Sequence, residues 1–149
     1  MNLLLVNDDG IKAQGIHELA EALSSEASIY VCAPDGQRSA SGHGITVSTY
    51  IAVQEEKFNC AEYAFSTSGT PADCVKLGMK LFERQGVKID MVFSGINHGG
   101  NLGTDTLYSG TVSAAIEGSL CGVPSVAVSV NSHEAKHFEY ACYLAKGAL

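Results

Sequence analysis

The sequence Leu3-Leu4-Leu5-Val6-Asn7-Asp8-Asp9-Gly10 decides the fold. Its apolar residues run directly into two adjacent carboxylates and a glycine, and a short apolar run that ends in a turn signal is typical of a strand buried on both faces. Such a strand lies in the middle of a parallel sheet, and open α/β sheets build their sites at the carboxyl ends of their strands. Asp8 and Asp9 would repel each other there unless a cation lies between them. The stretch therefore predicts a central strand with a cation site at its end.

The residues that follow predict a βαβ unit. Residues 16–23 place Ile16, Leu19, Ala20 and Leu23 on one helical stripe, and residues 27–33 have the composition of the next strand. A strand, a helix and a strand within about thirty residues imply a parallel pair joined by a right-handed crossover.

Apolar runs and turn residues divide the rest of the chain in the same way. Further strands are predicted at residues 63–67, 90–94 and 124–130, and helices at residues 71–86, 109–121 and 134–149. The weak alternation of residues 46–53 predicts one strand of a side hairpin, and residues 55–57 look like a solvated turn. We predict an α/β fold in one domain over residues 1–149, a three-layer, doubly wound, mainly parallel sheet with a side hairpin.

Composition excludes several functional classes. The net charge of −7 argues against binding to nucleic acid or to an anionic membrane. No apolar stretch is long enough to span a bilayer and no targeting segment is evident, so we expect a cytoplasmic protein. The five cysteines are scattered without a CxxC pair, which predicts free thiols rather than a zinc site.

Polar side chains follow three of the predicted parallel strands. Asp8 and Asp9 follow the first, Ser39 lies in the loop after the second, and Asn97 lies in a glycine-rich loop after residues 90–94. These donors are all oxygen atoms, which suit Mg²⁺, Mn²⁺ or Ca²⁺ better than Zn²⁺ or copper. The pattern predicts one divalent cation per chain.

A helix start beside these loops predicts an anion site. Ser109-Gly110-Thr111 opens a helix, and the amides and dipole of a helix N-terminus attract anions. A divalent cation beside an anion site, in a chain of negative net charge, points to a phosphate ester as the ligand.

Five ordered motifs resemble the survival protein SurE family of metal-dependent nucleotidases. They are Asn7-Asp8-Asp9-Gly10; Ala33-Pro34-Asp35 with Arg38-Ser39; Gly69-Thr70-Pro71-Ala72-Asp73-Cys74-Val75; Ser94-Gly95-Ile96-Asn97 with Gly99, Asn101 and Gly103; and Ser109-Gly110-Thr111-Val112. The resemblance implies a Rossmann-like domain that hydrolyses nucleoside 5′- and 3′-monophosphates, and short polyphosphate in some members. Gly36-Gln37 departs from the pattern, since relatives often carry charged residues there, which bears on substrate contacts of that loop.

The resemblance also implies the site residues. The family's metal ligands fall on Asp8, Asp9, Ser39 and Asn97, and Asp9 is the candidate for orienting or deprotonating the attacking water. For the anion site predicted from the helix start, the phosphate contacts that we expect are Asn101, Ser109, Gly110, Thr111 and His43.

The family is homo-oligomeric, and its members are usually longer than this chain. An extended hairpin and a C-terminal arm exchanged between subunits are therefore expected to be missing here.

Other functions remain open at this point. The first is a truncated domain that binds metal and phosphate without turnover. The second is a phosphatase with a nucleophilic Asp, whose paired Asp residues are usually separated by one residue and accompanied by a Lys. The third is a phosphorylated receiver module, which needs a further Asp and a Lys where this chain has Ser94 and Val130.

Overall fold

A six-stranded sheet forms the centre of the computed structural model, which describes residues 1–149. In chain order its strands are β1 (Asn2–Val6), β2 (Ser28–Pro34), β3 (Val53–Glu55), β4 (Tyr63–Thr67), β5 (Met91–His98) and β6 (Ser125–Val130). Their spatial order is β3-β4-β2-β1-β5-β6, and every neighbouring pair is parallel except β3 and β4. The predicted mainly parallel α/β sheet is confirmed.

Helices cover both faces of this sheet. They are α1 (Gln14–Leu23), α2 (Pro71–Arg84), α3 (Gly110–Leu120) and α4 (Glu139–Lys146), with a short 3₁₀ helix at Gly103–Leu107. Helices α1 and α4 pack together on one face, and α2 and α3 pack together on the other. No helix of the chain combines the length and the apolarity needed to cross a membrane.

Strand β1 occupies the centre because both of its faces are apolar. Leu3 and Leu5 enter the core beneath α1, whereas Leu4 and Val6 enter the core beneath α2 and α3. All four side chains are fully buried. Successive side chains of a strand point to opposite faces, so an unbroken apolar run satisfies both cores. The carboxyl end of β1 is thereby fixed between β2 and β5.

The side hairpin is shorter than predicted. Residues 46–52 form no strand, and β3 begins only at Val53. Side chains rather than a neighbouring strand accept the amide hydrogens at both ends of this segment: Asp73 accepts from Thr46, and Ser68 Oγ accepts from Ala52. Glu55, predicted to lie in a turn, is the last residue of β3.

Strand β5 is longer than predicted. It continues past Ser94 to His98, with an irregularity in its pairing to β6 between Ser94 and Asn97. Gly95 lies there with φ of +137°, where a Cβ atom would collide with the carbonyl oxygen of Val128. The glycine signal therefore marks a bulge within the strand, and Asn97 is positioned by strand pairing and not by a loop.

The last helix is also shorter than predicted. Helix α4 begins at Glu139, so residues 134–138 are not helical. Phe138, the residue before the helix, is buried and packs edge-on against the ring of His98, with ring centroids 5.1 Å apart. This contact brings the segment before α4 to the carboxyl end of β5.

Candidate active site

The turn after β1 is held by its own residues. Asn7 is fully buried, its Nδ2 donates to the carbonyl of Gly10 (2.8 Å), and the amide of Gly10 donates to Asn7 Oδ1 (3.2 Å). Gly10 has φ of +100°, and a Cβ atom there would lie 3.1 Å from backbone atoms of Gly36. Only glycine combines this conformation with so close an approach. We call residues 7–10 the Asp turn, because they present Asp8 and Asp9 side by side.

Asp8 is a buried carboxylate supported by the start of α3. Thr111 Oγ1 donates to Asp8 Oδ1 (2.7 Å), and a Cβ atom on Gly110 would lie 2.7 Å from the Cβ of Asp8. The pKa of Asp8 is raised above its ordinary value, mainly by burial and further by the charge of Asp9, although hydrogen bonds from Thr111 oppose the shift. A cation beside both carboxylates would offset both the burial of the Asp8 charge and its repulsion by Asp9.

Asp9 lies on the side of the site next to β5. The backbone amide of His98 donates to Asp9 Oδ2 (3.4 Å), and His98 Nδ1 lies 3.6 Å from the same oxygen. The carboxylate therefore faces the end of β5, where Asn97 immediately precedes His98.

A cavity of about 390 Å³ opens at this edge of the sheet. The predicted metal ligands Asp8, Asp9, Ser39 and Asn97 all line it, as does Asp105 of the 3₁₀ helix. No Lys or Arg side chain does so. The cavity thus carries three carboxyl groups without a Lys or Arg to balance them, and its basic side chains are those of His98 and His133.

The donors in this cavity fit a cation that prefers oxygen. Asn97 Nδ2 donates to the carbonyl of Gly99 (2.8 Å), which leaves Oδ1 as the side-chain atom for a cation. Ser39 Oγ accepts from Gln37 Nε2 (2.9 Å) and keeps a second lone pair. No group of three or more His, Cys, Asp or Glu residues is suited to hold a metal. A ligand set built on the two aspartates would therefore take its further oxygen donors from residues such as Ser39 and Asn97.

The expected phosphate contacts divide into two groups. Asn101 and Ser109 line the cavity. Gly110, Thr111 and His43 do not line it: Gly110 packs on Asp8, Thr111 Oγ1 donates to Asp8, and His43 Nε2 lies 2.8 Å from a carboxylate oxygen of Glu117. Gly110 and Thr111 thus support Asp8 from the buried side, whereas the partly exposed His43 contacts Glu117.

Asp105 and His133 line the cavity but are absent from the sequence-based set. His133 lies in the non-helical segment after β6, and its ring packs against Gly99. Asp105 belongs to a 3₁₀ helix that no pattern predicted. His133 follows the carboxyl end of a parallel strand, and the same signal that predicted Asp8, Asp9 and Ser39 as site residues also applies to it.

Comparison with known proteins assigns the family. The family model described as "Survival protein SurE" matches residues 3–149. The chain belongs to the SurE family. The predicted resemblance is confirmed over almost the whole of this sequence.

Individual SurE relatives are similar over nearly the whole chain. A 5′-nucleotidase SurE from Pseudothermotoga lettingae is 51% identical over 140 residues, covering 94% of this chain and 52% of that protein. A 5′-nucleotidase SurE from Syntrophomonas wolfei is 53% identical over 135 residues, covering 91% of this chain and 50% of the relative. The chain thus spans about half the length of these curated relatives.

A solved SurE structure has the same fold. The crystal structure of the SurE protein from Aquifex aeolicus superposes with a TM-score of 0.87 at 42% sequence identity. The match covers 99% of this chain and 58% of that structure.

Proposed function

We propose that this chain hydrolyses nucleoside 5′- and 3′-monophosphates, and short polyphosphate, with one bound Mg²⁺ or Mn²⁺. The observation that carries the proposal is a cavity with three carboxyl groups and no Lys or Arg. Such a cavity repels a phosphate ester unless a cation is bound with it. The names of the Pseudothermotoga and Syntrophomonas relatives support the nucleotide as substrate.

The side chains have separable roles in this proposal. Asp8, Asp9, Ser39 and Asn97 would hold the cation, which when bound polarises a phosphoryl oxygen and lowers the pKa of a bound water. Asp9 orients the attacking water and accepts its proton. Asn101 Nδ2 donates to Ser129 Oγ (2.7 Å), which fixes the amide at the wall of the cavity where phosphate would bind.

The start of α3 completes the phosphate site. Ser109 is the N-cap of α3, and its Oγ accepts from the amide of Val112 (3.1 Å). The dipole of the helix therefore has its positive end at the cavity, where negative charge grows on the leaving oxygen.

The absence of Lys from the cavity also weighs on the rival mechanisms. Aspartyl phosphatases and receiver modules need a Lys beside the phosphoryl group, and none lines this cavity. The substrate partner we propose is a small phosphomonoester, with no role for nucleic acid or membrane. By analogy with the family, the active form is a homo-oligomer.

The substitution Asp9→Asn tests the proposal most directly. It removes one negative ligand and the proton acceptor, so metal-dependent release of phosphate from a nucleotide panel is expected to be abolished. The measurement is phosphate release by this 149-residue chain with Mg²⁺ or Mn²⁺. The matched control is Asp90→Asn, which changes an Asp bonded to the amide of Asn2 at the opposite edge of the sheet and should leave activity intact.

The outcomes of this experiment separate the candidate functions. Full activity in Asp9→Asn would contradict the assigned site. A wild-type chain that binds Mn²⁺ and phosphate but releases no phosphate from any nucleotide would identify the chain as a binding domain without turnover.

A further inference from the structure

One buried charged side chain has no role in the proposed chemistry. Glu117 lies in the C-terminal half of α3, and only 6% of its side chain is exposed. Its Oε2 lies 2.8 Å from His43 Nε2, and its Oε1 accepts from Lys76 Nζ at 3.0 Å. Each carboxylate oxygen thus has one partner. The Glu117 carboxylate is therefore bound on one side by His43 and on the other by Lys76.

The first partner, His43, belongs to the segment that carries Ser39. We call residues 37–46 the Ser39 loop. It has no regular secondary structure, and its hydrogen bonds to other elements are at the two ends and in the middle. At the start, the amide of Arg38 donates to the carbonyl of Asp8 (2.7 Å). At the end, the amide and hydroxyl of Thr46 both donate to the carboxylate of Asp73.

The middle of the Ser39 loop is held from the side of α3. The amide of Gly42 donates to the carbonyl of Tyr108 (3.0 Å), just before the helix, and His43 binds Glu117 within it. Two side chains therefore link this part of the loop to the body of the protein: the ring of His43, which binds Glu117, and the hydroxyl of Thr70, which donates to the carbonyl of Gly44 (2.7 Å).

The same helix also holds Asp8. Thr111 Oγ1 donates to Asp8 Oδ1, and Glu117 lies six residues further along, which is about 9 Å along the helix axis. A helix is a rigid spacer on this scale. The Asp turn and the Ser39 loop, two of the three segments with predicted metal ligands, are thus both hydrogen-bonded to α3, at positions a fixed distance apart.

We propose that Glu117 is a positioning residue, which acts through His43 to keep Ser39 at the distance from Asp8 and Asp9 that a divalent cation requires. The metal-related part of this inference rests on the proposed function, whereas the ordering of the Ser39 loop does not. Lys76 offers the contrast, since it joins the same carboxylate to α2 without touching the loop.

Amide hydrogen exchange of the metal-free protein tests the loop directly. His43→Ala and Glu117→Gln should each accelerate exchange in peptides covering residues 37–46 by about tenfold, because a hydrogen bond to a carboxylate contributes at least that factor to an equilibrium constant. Lys76→Met removes the other partner of Glu117 and should leave exchange in these peptides unchanged. His43 is partly exposed, so its replacement leaves the core intact.

The affinity for Mn²⁺ gives a second readout. Loss of a residue that orients a ligand typically weakens metal binding by about tenfold or more, and His43→Ala should show that loss in a titration without substrate. His43→Gln keeps a donor that can reach Glu117 and should recover part of the affinity. A residue with only a structural role would show no such recovery.

The outcomes discriminate among the possibilities. Wild-type exchange in His43→Ala would overturn the proposal. Equal acceleration in His43→Ala and Lys76→Met would also overturn it, because Glu117 would then serve only to join α2 to α3. A wild-type chain without phosphatase activity would count against the proposed function alone, since exchange and Mn²⁺ binding need no turnover.

Discussion

The Asp turn and the Ser39 loop bring predicted metal ligands to the same cavity by different means. The Asp turn follows a fully buried strand, and Asn7 and Gly10 close it with two hydrogen bonds of their own. The Ser39 loop is longer and relies on Asp73 of α2 and Glu117 of α3. The backbone of the Asp turn is therefore closed by its own residues, whereas the Ser39 loop is held by contacts with distant residues. Substitutions in the Asp turn should therefore lower the free energy of unfolding of the whole domain. Substitutions that release the Ser39 loop should mainly accelerate amide exchange within that loop.

The largest effect is expected from Asn7→Ala. It removes both hydrogen bonds that close the Asp turn and leaves the buried Gly10 amide without an acceptor. The free energy of unfolding should fall by about 2–3 kcal/mol, as measured by denaturant titration. Asn2→Ala at the other end of β1 is the matched control, since it removes one exposed hydrogen bond to Lys88 and should cost less than about 1 kcal/mol. Equal losses in both variants would show that the Asp turn is not specially fixed.

A smaller and more local effect is expected from Thr46→Val. The variant keeps the backbone donor to Asp73 but loses the hydroxyl donor (2.7 Å), so stability should fall by about 1 kcal/mol. Amide exchange should accelerate mainly near residue 46. Thr46→Ser retains the hydroxyl and is the control. A uniform rise in exchange across the sheet would contradict the view that separate contacts hold separate parts of the Ser39 loop.

The elements that were predicted correctly are those whose signals are local. Helix α2 begins at Pro71 with a complete capping box between Thr70 and Asp73, as its sequence indicates. Helix α3 begins after its N-cap Ser109 and ends before Gly122, which has φ of +85°. The apolar run of β1 gave its central place in the sheet. In each case the residues that make the structure are adjacent in sequence.

The parts that were not predicted depend on distant partners. Residues 46–52 have strand-like composition, but Asp73 and Ser68 accept the amide hydrogens at their two ends. Asn97 lies within a strand because β6 pairs with it beyond the Gly95 bulge. Three of the expected phosphate contacts pack on or bind other residues of the protein and do not line the cavity, and no local pattern shows that Thr111 faces Asp8 or that His43 faces Glu117.

The smallest predicted effect is on the acid sensitivity of the two carboxylates that hold the Ser39 loop. Burial raises the pKa of Asp73 and of Glu117, but hydrogen bonds outweigh it, from Thr46 and Thr70 to Asp73 and from His43 and Lys76 to Glu117. The pKa of each is therefore below its ordinary value, so the folded state binds fewer protons than the unfolded state in the acid range. Their stabilisation is present above the ordinary pKa values of 3.8 and 4.5 and is lost as the pH falls through the folded values.

Glu117→Gln isolates one of these contributions. The difference in unfolding free energy between wild type and Glu117→Gln should shrink as the pH is lowered from 7 to below 4.5, because protonation makes the wild-type side chain neutral as well. The exposed Glu26→Gln is the control, and its curve should run parallel to that of the wild type. A constant difference between wild type and Glu117→Gln across this range would mean that the charge of Glu117 contributes nothing to holding His43. The contact between Glu117 and His43 would then act as a hydrogen bond between neutral groups, in contrast to the charge-assisted hydrogen bonds that Asp73 accepts from Thr46.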